Sequence, residues 1–476
     1  MNELHGRRIL HILSPVQFEK GTFNHDRDSN YKCTERFIDW LPECHHYILV
    51  PEKHHIPDNR SNVTLLKYPY PTNAVSNRSV FSAEAFLKVI DMKRMDFDFL
   101  FVNQPELLYN VLVALMDRRY GEILHKFAFF HWVDCSASRG SPAIPHGYMR
   151  QLEAINLCTK FFVHSDIAID YLASNFKKPK SVAIFHPFIE GKKVLMPTSK
   201  APFGKPKPLD LPKDRRIVVF NHRWSQSTGV NRFLEYTKPL LEDSRYLLWV
   251  TDPTAVDLPK GYHQSNLTYD EYQYLLSQAY CSVCFVDGYA TWNLSVQDGI
   301  ALNRPVLVYK HPVMNDVLGS RDYPYFFDTQ EDFLSKLDGL GDTFKRPVVW
   351  PFLPDHDAVF KKNLLDAMLE CVQPKGDTPK DAPAWLWYIV NGLHFKNDIT
   401  NQVQENLQLN SVWQYIRRWL LQNGVTDNPS SPYTSYSIIP AKEAELKDLV
   451  KGLQLRIKAK TNKETVVNRK NHGFWD

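Results

Sequence analysis

The chain has 476 residues, 43% of them hydrophobic and 23% charged, with a formal net charge of +4. This suits two ordinary domains plus a smaller third and excludes a disordered chain, while so small a charge gives no argument for nucleic-acid binding by the chain as a whole. Met1 to Arg8 is polar, no apolar run reaches about 18 residues, and seven cysteines are scattered along the chain, so the expectation is a cytoplasmic protein without a membrane partner.

Taken in chain order, apolar runs of strand length alternate with helical patterns. Strands are expected at residues 8–13, 47–50, 63–67, 97–103, 126–130, 160–163 and 181–185, with helices at 34–41, 81–92, 106–119, 148–156 and 166–175. That alternation argues a parallel, doubly wound sheet. Five prolines and six lysines between Lys192 and Lys213 suit an extended linker. The same grammar then restarts, with strands at 216–221, 246–250, 281–286, 306–309 and 325–327 and helices at 230–241, 269–278, 293–302 and 331–337. The expected organisation is a first Rossmann-like domain over 1–190, a linker over 191–213 and a second Rossmann-like domain over 214–345. A long helix in 346–372 follows, and a second linker precedes a C-terminal module over 381–476.

The most informative stretch runs from Ala279 to Tyr309. It reads as strand, Asp287-Gly288 turn, helix, Asn303-Arg304-Pro305 turn and strand. In open α/β sheets the crevice at the carboxyl ends of the strands is where nucleotides bind. Asp298 stands there one residue before Gly299, and acids so placed hold ribose hydroxyls. Cys281 and Cys284 have CxxC spacing, but inside an apolar strand, which argues against zinc or redox chemistry.

This stretch resembles the nucleotide-sugar-binding segment of GT-B glycosyltransferases of the group 1 retaining class. Their pattern is two acids with seven residues between them, a small-residue helix, Gly-x-Pro and an apolar strand. Asp298 falls on the second acid and Leu302 to Val308 on the turn and strand. The first acid falls on Ala290, and Asn303 replaces the usual glycine, a tolerable change because Asn visits left-handed backbone. The resemblance implies two Rossmann-like domains in a GT-B arrangement, with residues 354–372 as the helix that returns to the first domain. It also implies a nucleotide diphosphate sugar, UDP-linked by expectation, as co-substrate, with no further cofactor.

The segment from Val218 to Gly229 resembles the family's strand followed by Gly-Arg and Lys-Gly, whose cations grip the donor diphosphate. Phosphoryl oxygens want a guanidinium and a helix N-terminus. Arg223 takes the first role; Thr228 stands where Lys is expected, so the hydroxyls of Ser225, Ser227 and Thr228, or Arg321, are the candidate replacements. Asn293, Ser295 and Asp298 complete the expected donor-binding set. His131, directly after an apolar strand, falls where the family places a sugar-contacting histidine, and Asp134 is the nearest acid to orient it or to hold the acceptor. Gly21 lies in a long first loop, residues 14–30, and stands for the family's backbone-approach glycine. Asp26-Arg-Asp28 and Asp96-Phe-Asp98 have a metal-binding look, but GT-B enzymes neutralise the diphosphate with side chains and helix dipoles, so no metal is expected.

Beyond residue 381 the pattern changes. An aromatic helix begins near Trp385, a short one covers 399–405, and residues 409–421 form an amphipathic helix with Val412, Ile416, Trp419 and Leu420 on one face. Gln414, Arg417 and Arg418 lie mainly off that face. A polar turn and a β-like 433–439 follow, and residues 442–470 hold nine Lys/Arg against four Asp/Glu. Helices followed by a hairpin resemble a winged helix, so DNA is the expected partner, with an interaction bundle as the alternative. With that module the acceptor expected is a hydroxymethylated pyrimidine in DNA, an architecture that resembles the DNA base glucosyltransferases of bacteriophages. The alternatives are transfer to tRNA or a surface glycan, and a non-catalytic GT-B binding protein.

Overall fold

The computed structural model describes residues 2–13, 18–19, 22–23, 29–52, 59–68, 89, 97–103, 125–131, 154–155, 158–168, 192–198, 206–256, 258–286, 292–341, 356–372, 425–427 and 436–438. Contacts divide the chain into two units. The first comprises 1–163, 170–194 and 364–476, the second 164–169 and 195–363.

The first unit is built on strands β1 (Arg8–Ile12), β4 (His45–Pro51), β5 (Val63–Tyr68), β6 (Phe99–Val102), β7 (His125–Phe130), β8 (Lys160–Val163) and β9 (Lys193–Leu195). They form one sheet in the order β5-β4-β1-β6-β7-β8-β9. The pairings from β5 through β8 are parallel, with Ile9 opposite Phe99 and Arg8 opposite His45. Every residue of β6 and β8 is buried, the signature of parallel strands covered on both faces. The core is aromatic: Phe129 meets Phe37 and Phe162, each at 4.6 Å between centroids. Helix α1 (Ser29–Trp40) starts earlier than its apolar pattern indicates. A short hairpin of β2 (Phe18–Glu19) and β3 (Thr22–Phe23) stands in the long first loop. Of the Asp96-Phe-Asp98 pair, Asp98 accepts from Arg7 at 2.9 Å and from the Arg8 main chain at 2.8 Å, pinning the start of β6 to β1.

A buried imidazole pair joins β1 to β4. His46 Nε2 lies 2.9 Å from the Leu41 carbonyl, which only accepts, so His46 Nδ1 in turn accepts from His11 Nε2–H at 2.9 Å. Burial, with His46 adding to it, holds His11 well below the ordinary value of 6.5. The unfolded chain therefore takes up the proton first. The stability this pair contributes is fully present above 6.5 and is lost as the pH falls below it toward the folded value. The thermal midpoint is expected to drop between about pH 7 and pH 5, and to drop less in His11→Leu. An equal drop in both proteins would remove the pair from the acid response.

The second unit repeats the scheme with β10 (Arg216–Phe220), β11 (Tyr246–Val250), β12 (Tyr262–Gln264), β13 (Cys281–Cys284), β14 (Val306–Tyr309) and β15 (Phe326–Phe327), ordered β12-β11-β10-β13-β14-β15 and parallel throughout. Its helices are α2 (Val230–Thr237), α3 (Tyr269–Gln278), α4 (Leu294–Ala301), α5 (Pro312–Leu318) and α6 (Gln330–Gly339). Helix α2 stops short of the expected 241 because Pro239 lacks an N–H and the chain tightens to 3-10 over Lys238–Leu241. Thr268 and Glu271 close a capping box on α3. Phe233 of α2 is fully buried and stacks on Phe220 at 4.4 Å.

Helix α7 (His356–Val372) crosses the division between the units at residue 363. Within the first unit, its Glu370 pairs with the buried Lys160 of β8 at 2.7 Å. Near the C-terminus, β16 (Val425–Asp427) and β17 (Tyr436–Ile438) form an antiparallel pair. The helices expected between 381 and 421, with Gln414, Arg417 and Arg418, lie outside the described residues, as does the basic stretch 442–470. The winged-helix expectation stays one of sequence. Among the described residues, no helix is long and apolar enough to cross a membrane.

Candidate active site

In the second unit β10, the first strand of its sheet in chain order, has β11 on one side and β13 on the other. That reversal opens a crevice at the carboxyl edge of the sheet, where ligands of doubly wound folds bind. The chain leaving β10 there runs through Asn221, His222 and Arg223 into a 3-10 turn (Gln226–Thr228) and helix α2. Arg223 is exposed, and its guanidinium has no hydrogen bond or ion pair among the described residues. The turn beneath it is tightly bonded. Trp224 N–H donates to Asp252 at 2.6 Å. The Thr228 hydroxyl lies 2.5 Å from the Arg223 carbonyl and 2.8 Å from that of Ser225. Thr228 therefore spends its proton on the main chain and keeps Arg223's backbone in place. The hydroxyls of Ser225 and Ser227 share a hydrogen bond of 2.8 Å.

Gly229 ends the turn at φ +80°, and a Cβ there would lie 2.0 Å from the Phe285 carbonyl oxygen. Both the left-handed backbone and the contact demand glycine. The turn is thus seated on the end of β13. Helix α2 begins at Gly229 without a side-chain cap, and an uncapped helix start favours an anion.

The other wall of the crevice is α4. Asn293 caps it, its Oδ1 accepting from Val296 N–H at 3.0 Å. Trp292, just before the cap, donates from Nε1 to the Thr198 carbonyl at 2.7 Å and stacks on His164 at 5.5 Å. Gln297, one turn on, meets His356 at 2.5 Å. Gly299 packs the helix on the sheet: a Cβ there would lie 2.6 Å from both Ser282 Oγ and Val306 Cγ2. Asn303, in the glycine position of the following turn, has φ +55°, the left-handed conformation its place requires.

Asp298 faces inward. It is fully buried, and its Oδ2 accepts from the Tyr272 hydroxyl of α3 at 2.6 Å. Burial first, and the Asp298 carboxylate second, push the Tyr272 phenol well above its ordinary value, so it remains a donor. The same phenol oxygen accepts from Asn221 Nδ2 at 3.0 Å, and Asn221 Nδ2 also donates to the Ser295 carbonyl at 2.9 Å.

Arg223, Ser225, Thr228, Asn293, Ser295 and Asp298 therefore share one edge of one sheet. His131 belongs to the first unit, directly after β7, half-buried, with its N–H donating to the Phe129 carbonyl at 3.1 Å. Asp134, Gly21, Ala290 and the Asp26-Arg-Asp28 sequence lie outside the described residues. Arg321 is exposed past α5, with Asp316 in its field. Asn221, Tyr272 and Trp292 carry no expected role in the sequence. Asn221 has a signal of a kind, as a polar residue directly after an apolar strand at the binding edge. Tyr272 has none, because its partner lies on another helix. Cys281 and Cys284 are both buried and unpaired, and burial pushes the Cys284 thiol up to about 12, which suits inert core residues. Among the described residues no three His, Cys, Asp or Glu side chains gather as a metal-holding group.

No protein-family model matches the sequence, and no curated protein sequence matches it. Solved structures do resemble the fold. TarM of S. aureus superposes with a TM-score of 0.54 at 9% identity, over 79% of this chain and 100% of that one. Sucrose-phosphate synthase of Thermosynechococcus elongatus gives 0.51 at 12% identity, over 77% of this chain and 96% of that one. At such identities the likeness is one of fold: the two parallel-sheet α/β units match those of GT-B glycosyltransferases.

Proposed function

We propose that the protein is a glycosyltransferase that moves a sugar from a UDP-linked donor to a hydroxymethylated pyrimidine base in DNA. The observation that carries the donor half is the exposed Arg223, whose guanidinium has no partner among the described residues, beside an uncapped helix start at the switch point of the second sheet. As the bond between the sugar's anomeric carbon and the diphosphate oxygen breaks, the electron pair stays on the diphosphate. A guanidinium and free N–H groups are what that growing charge needs. In this reading residues 214–345 hold the donor. Arg223, Ser225, Thr228 and the first turn of α2 lie at the diphosphate, and Asn293, Ser295 and Asp298 on the nucleoside side. Residues 1–190 hold the acceptor side, where His131 contacts the sugar, Asp134 orients it, and Gly21 lets backbone approach the donor. As its oxygen bonds to the anomeric carbon, the acceptor hydroxyl's proton passes to the departing diphosphate or to solvent.

The DNA half is supported by sequence alone: Gln414, Arg417 and Arg418 on one helix face, and nine Lys/Arg against four Asp/Glu over 442–470. A duplex base would have to leave the stack to react. The test is to incubate the full chain with UDP-, ADP- and GDP-linked sugars and duplex DNA bearing hydroxymethylated pyrimidines, then weigh the released nucleosides. One hexose added per modified base, with or without excess EDTA, is the expected result. A donor that binds and is hydrolysed without transfer to DNA would overturn the acceptor. Failure of every nucleoside diphosphate to bind would overturn the whole reading.

A further inference from the structure

Asn221 sits one residue past β10 and two before Arg223, and only 7% of its surface is exposed. A carboxamide has two N–H hydrogens and one acceptor oxygen. Both hydrogens are committed, one to the Tyr272 phenol oxygen at 3.0 Å and one to the Ser295 carbonyl at 2.9 Å. Tyr272 has a single proton, and it goes to Asp298 at 2.6 Å. Turning the Asn221 amide over would set its oxygen against two acceptors, so the network fixes its orientation. That leaves Oδ1, which has no hydrogen-bond partner among the described residues, at the binding edge. An amide oxygen held this way is an acceptor open to a donor from a ligand.

We infer that the Asn221 carboxamide oxygen is a donor-substrate contact, accepting a hydroxyl or N–H hydrogen from the nucleoside half of the nucleotide sugar. This rests on the glycosyltransferase reading above. Phosphate oxygens cannot supply such a hydrogen at neutral pH; a ribose hydroxyl or the imide N–H of a uracil can. The relay also accounts for the inward aspartate. Asp298 is withdrawn from the ligand and acts through Tyr272, a positioning residue, which holds the Asn221 amide by one hydrogen and so aims its oxygen. The polar contact moves from the helix to the end of β10.

The experiment is a double-mutant cycle in which half of the cycle is made on the ligand. Binding of UDP, 2′-deoxy-UDP, 3′-deoxy-UDP and N3-methyl-UDP to the full chain is measured by calorimetry for the parent, Asn221→Ala and Tyr272→Phe. The parent is expected to bind one of the three analogues about 3- to 10-fold more weakly than UDP, the range of one hydrogen bond. That analogue identifies ribose or base as the source. Asn221→Ala is expected to bind UDP and that analogue alike, and Tyr272→Phe to narrow the difference with the ring still in place. Should Asn221→Ala not fold, Tyr272→Phe decides. Parent and variants discriminating equally would overturn the inference while UDP binding itself stands. A parent that binds no UDP overturns the reading beneath it instead.

Discussion

Replacing Arg223 with alanine is expected to lower turnover by about 10²- to 10³-fold, the loss typical of a preorganised donor aimed at transition-state charge. The guanidinium is exposed and engages no described side chain, so its removal breaks no contact among the described residues and folding stability should change little. The bonds that shape the turn run through the main chain and through Thr228 and Asp252, and they survive the substitution. Because the charge on the diphosphate grows as the sugar departs, kcat should fall more than donor affinity. Single-turnover kinetics with saturating donor, beside a thermal melt, separates the two. Turnover within about twofold of the parent would place Arg223 outside the site.

Much of this geometry is legible in the sequence, for a definite reason. Buried parallel strands are continuous apolar runs, so Arg216 to Phe220, Cys281 to Cys284 and Val306 to Tyr309 announce themselves, and Asn293 marks the start of α4 by its capping chemistry. Asn303 in a glycine position predicts left-handed backbone, and φ is +55°. What escapes is short or tertiary. Strand β12 is three residues, none of them buried, and α5 is a seven-residue helix between His311 and Gly319. Neither is long enough to show a period. The inward turn of Asp298 was equally invisible. Position 298 reads as a ribose-binding acid, yet whether it faces ligand or core depends on Tyr272, 26 residues earlier on a different helix. Likewise Thr228 looks like a spare phosphate donor in the sequence, and the structure shows its hydroxyl turned to two carbonyls of its own turn.

Gly229→Ala tests whether the seating of that turn matters as much as the charge it carries. Alanine at φ +80° meets two penalties. The left-handed conformation costs about 1–2 kcal/mol for a residue with a Cβ, and the added carbon would stand 2.0 Å from the Phe285 carbonyl oxygen. A backbone oxygen at the end of a buried strand cannot swing aside as a flexible side chain would, so the turn has to lift. Lifting it moves Arg223 and the open first turn of α2 together. A misplacement of about 1 Å at a reacting centre is enough to cost about 100-fold. Gly341→Ala is the matched control. Its φ is +48°, but no described residue lies within 4 Å of the added carbon, so it carries the conformational penalty without the collision. The expected outcome is a modest fall in thermal midpoint for both proteins. Turnover should be nearly unchanged in Gly341→Ala and reduced about 100-fold in Gly229→Ala. Equal turnover in the two variants would mean that the approach of the turn to β13 serves packing alone, and that Arg223 acts from a position the turn does not set.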